Sequence, residues 1–116
     1  PPNWIFGPVW TLLYLMMGVA LGLIINLGTK TVGVKAALTI FAIQFILNLI
    51  WTPVFFGMHQ IFPALIVIIL LWIAILLSII HFSKLRPLAG WLLIPYILWV
   101  SFATILNAAL WQLNPS

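Results

Sequence analysis

No water-facing surface can be assembled from this sequence. Its 116 residues include four Lys and Arg and no Asp or Glu, so 3% are charged while 66% are hydrophobic. A soluble domain carries roughly 25% charged residues. A chain so poor in charge belongs in a bilayer, where a spanning helix needs about 20 mostly apolar residues. The expected fold class is all-α: a polytopic membrane helix bundle, with residues 1–116 forming one transmembrane domain. Asp, Glu and Cys are all missing. That removes carboxylate pairs, thiolate nucleophiles, Cys-based metal sites, disulfides and carboxylate proton relays.

Four spans are predicted, at about 6–27, 36–56, 61–82 and 88–113. Pro1, Pro2 and Pro8 suit the first turn of the first helix. The gaps Gly28–Lys35, Gly57–Gln60 and His81–Pro87 are short, so neighbouring helices must run antiparallel. Lys30, Lys35, Lys84 and Arg86 then all emerge on one side of the membrane. The positive-inside rule makes that side cytoplasmic. Charges sorted in this way report topology and form no nucleic-acid patch. Neither a signal peptide nor an internal repeat is visible.

The last span, LAGWLLIPYILWVSFATILNAALWQL, has no charge, yet it is not a featureless rod. Tyr96, Trp99, Ala103 and Asn107 share one helical face. In lipid, polar side chains on such a face turn toward other helices or a ligand, which makes this face one wall of a binding cavity. In the first helix Trp10, Tyr14, Gly18 and Gly22 recur every four residues, and the GxxxG formed by the two glycines allows another helix to come close. In the second, Gln44, Asn48, Trp51 and Phe55 fall on one line. The two amides read either as glue between helices or as cavity lining, and Pro53 loosens the backbone beside Trp51. The third helix offers Trp72 and Ser78 on an Ile/Leu surface that suits lipid or a second subunit. Trp4, Trp91 and Trp111, near span ends, read as interfacial anchors. His59 and His81 fall in loops on opposite membrane faces, so no metal site is assigned. No catalytic set is assigned either.

Three stretches together carry a family pattern: PPNWIFGPVWTLLY at Pro1–Tyr14, QFILNLIWTPVFFG at Gln44–Gly57, and RPLAGWLLIPYILWVSFATILN at Arg86–Asn107. They resemble the translocator protein family, also called tryptophan-rich sensory proteins or peripheral-type benzodiazepine receptors. The resemblance covers nearly the whole chain, beginning at the family's second helix, and implies a five-helix family fold of which this chain holds four. A truncated first helix is therefore expected. The resemblance also implies a homodimer and a pocket for porphyrins and haem-related tetrapyrroles, sterols, or isoquinoline and benzodiazepine ligands. The tetrapyrrole would be a ligand; no cofactor is expected. Residue by residue, it implies pocket roles for Trp10, Tyr14, Asn48, Trp51, Trp99, Ala103 and Leu106. Ala108, Ala109 and Gln112 depart from the mammalian cholesterol motif, so tight cholesterol binding is not expected. The pattern looks bacterial, implying a bacterial cell membrane, with the mitochondrial outer membrane as the eukaryotic counterpart.

The expected function is that of a membrane receptor or carrier for a flat aromatic ligand, sensory or transporting. The alternative is a light-dependent porphyrin-degrading activity that uses the pocket tryptophans. Coupled pumping fits less well, because the chain lacks the repeats and midplane charges common in secondary transporters.

Overall fold

The computed structural model describes the backbone of residues 3–54 and 60–113 and the side chains of residues 7–54 and 60–113. Among the described residues five α-helices follow in order: α1 (Asn3–Ile25), α2 (Val34–Thr52), α3 (Ile61–Leu85), α4 (Pro87–Leu92) and α5 (Ile94–Leu113). The described residues contain no strand. Four stretches are long and apolar enough to cross a membrane, with α4 and α5 together making the fourth. The longest dimension of the bundle is 48 Å, close to the roughly 40–45 Å of a bilayer with its headgroups. The protein is an integral membrane helix bundle, as its composition requires.

Several boundaries differ from expectation, each for a local reason. The span expected over 88–113 is two helices. Pro95 has no N–H for the carbonyl of Trp91, and its ring disfavours a continuous turn there; the chain turns at Leu93 and resumes as α5. His81 and Lys84, expected in a loop, lie in α3. Nothing before Pro87 breaks that helix. It stops at Arg86, whose extended backbone (φ −146°, ψ 107°) is what a residue preceding proline prefers. His81 Nδ1 stays 2.8 Å from the Leu77 carbonyl within that helix. Helix α1 starts at Asn3, so Pro8 lies inside it and not in its first turn. Helix α2 takes Lys35 into its first turn; its α-helical part ends at Thr52, and Pro53 and Val54 continue it as a wider π-helical turn. The Gly57–Gln60 turn except Gln60, along with Phe55, His59 and the side chain of Trp4, falls outside the described residues.

Glycine matters in the loop between α1 and α2. Gly28 and Gly33 have φ of +87° and +93°, the left-handed region that side chains disfavour. A Cβ built on Gly33 would lie 3.5 Å from Leu85 Cδ2. This loop and the end of α3 therefore share one face of the bundle, and Lys30, Lys35, Lys84 and Arg86 gather there. At the opposite face Phe62 packs on Trp111 with ring centroids 5.2 Å apart.

Helix α3 is central, packing along α2 and α5 and meeting α4 at its end. Its Ala64, Ile68, Leu71, Ile75, Ser78 and Phe82 are buried, whereas Ile66, Ile69, Ile73 and Ile80 are exposed. The Ile/Leu surface is thus not uniformly lipid-facing. The sequence does not mark the two sides, because lipid tails and protein neighbours are equally apolar and composition need not change between them. Phe82 stacks on Phe41 of α2 (5.5 Å, 10° between planes). Gly90 of α4 lies so close to Ser83 of α3 that an added Cβ would come within 3.2 Å of the Ser83 Cα.

Candidate ligand site

The inner face of α2 carries the polar groups. Gln44, Asn48 and Trp51 are all buried there, on the line their spacing describes. Asn48 bridges two tyrosines on different helices: Tyr14 of α1 donates its hydroxyl to Asn48 Oδ1 at 2.6 Å, and Asn48 Nδ2 donates to the Tyr96 hydroxyl oxygen of α5 at 2.9 Å. Tyr96 in turn donates to Gln44 Oε1 at 2.6 Å, and Gln44 Nε2 lies 3.9 Å from Met17 Sδ. A second cluster binds Trp51 Nε1 to Asn107 Oδ1 (3.1 Å) and Asn107 Nδ2 to the Ile61 carbonyl (3.0 Å), tying α2, α5 and α3 together. Trp72 Nε1 donates to Ser101 Oγ at 2.8 Å across α3 and α5. Among the described residues, every buried side-chain nitrogen and oxygen has a partner, as hydrocarbon demands. Both amides therefore join helices.

The aromatic rings gather above this network. Trp10 lies 5.6 Å from Tyr14 and meets Tyr96 and Trp99 edge-on, each at 6.5 Å. Edge-to-face contacts at these separations are favourable for aromatic quadrupoles. Trp99 also abuts Phe102 at 5.6 Å. Tyr14 links this cluster to an apolar groove of about 540 Å³ between α1 and α2, bordered also by Met17, Gly18, Phe41, Phe45 and Leu49. No charged side chain lines it.

Of the residues expected at the site, the structure brings together Trp10, Tyr14, Asn48 and Trp99. Ala103 is buried on the same face of α5, with Leu106 half-buried beside it. Trp51 belongs to the second cluster, with Asn107. The expected inward line of α1 is displaced. Its buried face is Leu13, Met17, Ala20 and Ile24, while Tyr14 is 39% exposed. Gly18 and Gly22 are exposed, and a Cβ on either meets nothing within 4 Å, so this GxxxG makes no close helix contact among the described residues. Between Gly7 and Ile25 only Trp10, Thr11 and Tyr14 carry a side-chain nitrogen or oxygen, all near one end, and spacing alone cannot fix the rotation of such a helix. Trp91 is 70% exposed, which suits an interfacial anchor, whereas Trp111 packs on Phe62. Met17, Phe41 and Phe45 were not foreseen as site residues. The available signal was the four-residue step Phe41–Phe45–Leu49, which flanks the Gln44–Asn48 line.

A model of the TspO/MBR family matches residues 1–112. The chain is 47% identical over 115 residues to the tryptophan-rich protein TspO of Chlorobaculum tepidum, an alignment covering 99% of this chain and 73% of that protein. It is 38% identical over 114 residues to the tryptophan-rich sensory protein of Cereibacter sphaeroides (98% and 70% covered). It is 37% identical over 115 residues to the human translocator protein (98% and 68% covered).

Proposed function

This chain belongs to the TspO/MBR family, and from that premise we propose that it is a membrane receptor for a flat, apolar ligand of the tetrapyrrole type. One observation carries the reading: Trp10 and Tyr14 of one helix cluster with Tyr96 and Trp99 of another, and both tyrosines hydrogen-bond Asn48 of a third, with Tyr14 bordering an apolar groove. Rings of this kind offer stacking area at low entropic cost, and a few polar atoms fix orientation. With no cation lining the groove, ligand carboxylates would extend to the membrane interface. A relative is named a sensory protein, and a sensory role is the reading taken here for this chain. The lipid-facing Ile row of α3 is the surface we assign to a second copy in a homodimer. Ala108, Ala109 and Gln112 favour a bacterial membrane.

Quenching of tryptophan fluorescence by protoporphyrin, in protein held in lipid nanodiscs, tests the reading. Trp10→Ala and Trp99→Ala should each weaken binding by about tenfold, the loss of one well-packed ring. Unchanged affinity in both variants removes these rings from the site.

The contact between Trp10 and Trp99 favours a second reading, light-dependent porphyrin degradation, since an indole beside a photoexcited macrocycle can donate an electron. Bleaching of illuminated porphyrin that is equally fast with wild type, with Trp10→Ala/Trp99→Ala and in a protein-free nanodisc would exclude it.

A further inference from the structure

The four cations of this protein stand at one end of the bundle, and the sequence holds no acid to answer them. Lys84 and Arg86 close α3, and the loop that carries Lys30 and leads to Lys35 lies against Leu85. The positive-inside rule accounts for this sorting. It does not account for what lies beneath two of the four. A groove of about 250 Å³ runs between α3 and α4, bordered by Ile79, Ser83, Pro87, Gly90, Trp91 and Ile94. Neither α1 nor α2 contributes a residue to it. Ser83 and Pro87 are the chain neighbours of Lys84 and Arg86, so both cations stand at the mouth of the groove. Ile79 lies one helical turn further into the membrane.

Ser83 adds a polar atom between the apolar walls and the cations. Thr39, Ser78, Ser101 and Thr104 each donate their hydroxyl to the carbonyl four residues back. Among the described residues Ser83 makes no such bond. Its Oγ is turned to Gly90, where an added Cβ would collide with it. Outward from the midplane, the groove therefore presents apolar walls, a hydroxyl and two cations. An acyl chain, an ester carbonyl and a phosphate follow one another in that same order. A second copy of this chain does not fit here: inserted the same way, it brings the same four cations and no acid, and like charges set face to face repel. We propose that the groove between α3 and α4 is a site for an anionic phospholipid, with its headgroup against Lys84 and Arg86 and an acyl chain along Ile79, Trp91 and Ile94. Trp91, 70% exposed at the rim, sits at the depth where indoles favour the headgroup region. This site is separate from the Trp10–Trp99 cluster and stands or falls without it.

Bromine on an acyl chain quenches indole fluorescence at contact, so it reports a chain lying beside Trp91. The full chain is placed in nanodiscs of phosphatidylcholine containing increasing amounts of brominated phosphatidylglycerol, and in the converse mixture with the bromine on phosphatidylcholine. The difference in emission between wild type and Trp91→Phe isolates Trp91. Half-quenching should need at least about fivefold less of the brominated anionic lipid, the worth of one cation at an anionic headgroup. Lys84→Gln/Arg86→Gln should abolish that preference. Lys30→Gln/Lys35→Gln removes as much charge from the same end but none from the mouth of the groove, and should keep it. Equal loss in the two double variants would mean diffuse attraction to the cationic end and overturns the site. Equal quenching of wild type by the two brominated lipids overturns it too. Should thermal melting show that Lys84→Gln/Arg86→Gln does not fold, Lys84→Gln and Lys30→Gln, both at exposed positions, decide in the same way.

Discussion

Helices α1 and α3 are both long and apolar, yet they do opposite work. Helix α3 lies close against α2, α4 and α5, with stacked phenylalanines at Phe41–Phe82 and a glycine contact at Gly90–Ser83. Helix α1 stands away from α5 across the rings of Trp10, Tyr96 and Trp99 and away from α2 across the groove. In lipid no hydrophobic force pulls helices together, so cohesion comes from close packing and interhelical hydrogen bonds. The α3 side has both. The α1 side packs closely chiefly against α4, and toward α5 and α2 it has large rings and a network anchored on Asn48 instead. Changes on the α3 side should therefore cost stability, and changes on the α1 side should alter binding.

The largest effect should follow Gly90→Leu. Even the first carbon of a side chain there would press on the Ser83 backbone, and backbone cannot rotate aside. Overpacking of this kind costs up to about 3 kcal/mol, to be read from an unfolding titration in mixed micelles. A stability equal to wild type would mean that α4 is free to move off α3. Next comes Phe82→Ala, at a position with no exposure. In water such a truncation loses both transfer energy and packing. In lipid the transfer part falls away, leaving a cavity cost near 24 cal/mol per Å³, or about 2 kcal/mol for roughly 100 Å³.

That contrast between helices was only half legible in the sequence. The polar face of α2 could be read, because an amide in hydrocarbon must find a partner, and Gln44, Asn48 and Trp51 fell on one line. The Tyr96–Asn107 face of α5 was legible for the same reason. The rotation of α1 and the buried side of α3 were not. Leu13 and Leu12, or Ile68 and Ile69, differ in burial and not in chemistry, and a bilayer imposes no polarity contrast between inside and outside. The break at Leu93 was written in Pro95, but a continuous apolar run concealed it. The contact of Gln44 Nε2 with a methionine sulfur is one that no spacing reveals.

Asn107→Ala should have a smaller effect. It removes the acceptor for Trp51 Nε1 and the donor to the Ile61 carbonyl. Interhelical hydrogen bonds in membranes are worth about 0.6–2 kcal/mol, so a loss near 1 kcal/mol is expected, with porphyrin quenching little changed because the Trp10–Trp99 cluster does not use Asn107. A large loss of binding with intact stability would extend the site to Trp51.

The smallest effect, and the one of opposite sign, should come from Gly18→Ala. A methyl group at Gly18 meets no atom within 4 Å, so nothing in the bundle resists it. Removing a glycine from a helix interior recovers backbone entropy worth about 0.5–1 kcal/mol. The variant should thus be slightly more stable than wild type while narrowing the groove that Gly18 borders. If Gly18→Ala were instead destabilised, Gly18 would have to lie against a helix in the membrane, and the groove would be a helix contact with no room for a ligand. Unchanged or higher stability together with weaker porphyrin quenching would tie the groove to ligand binding.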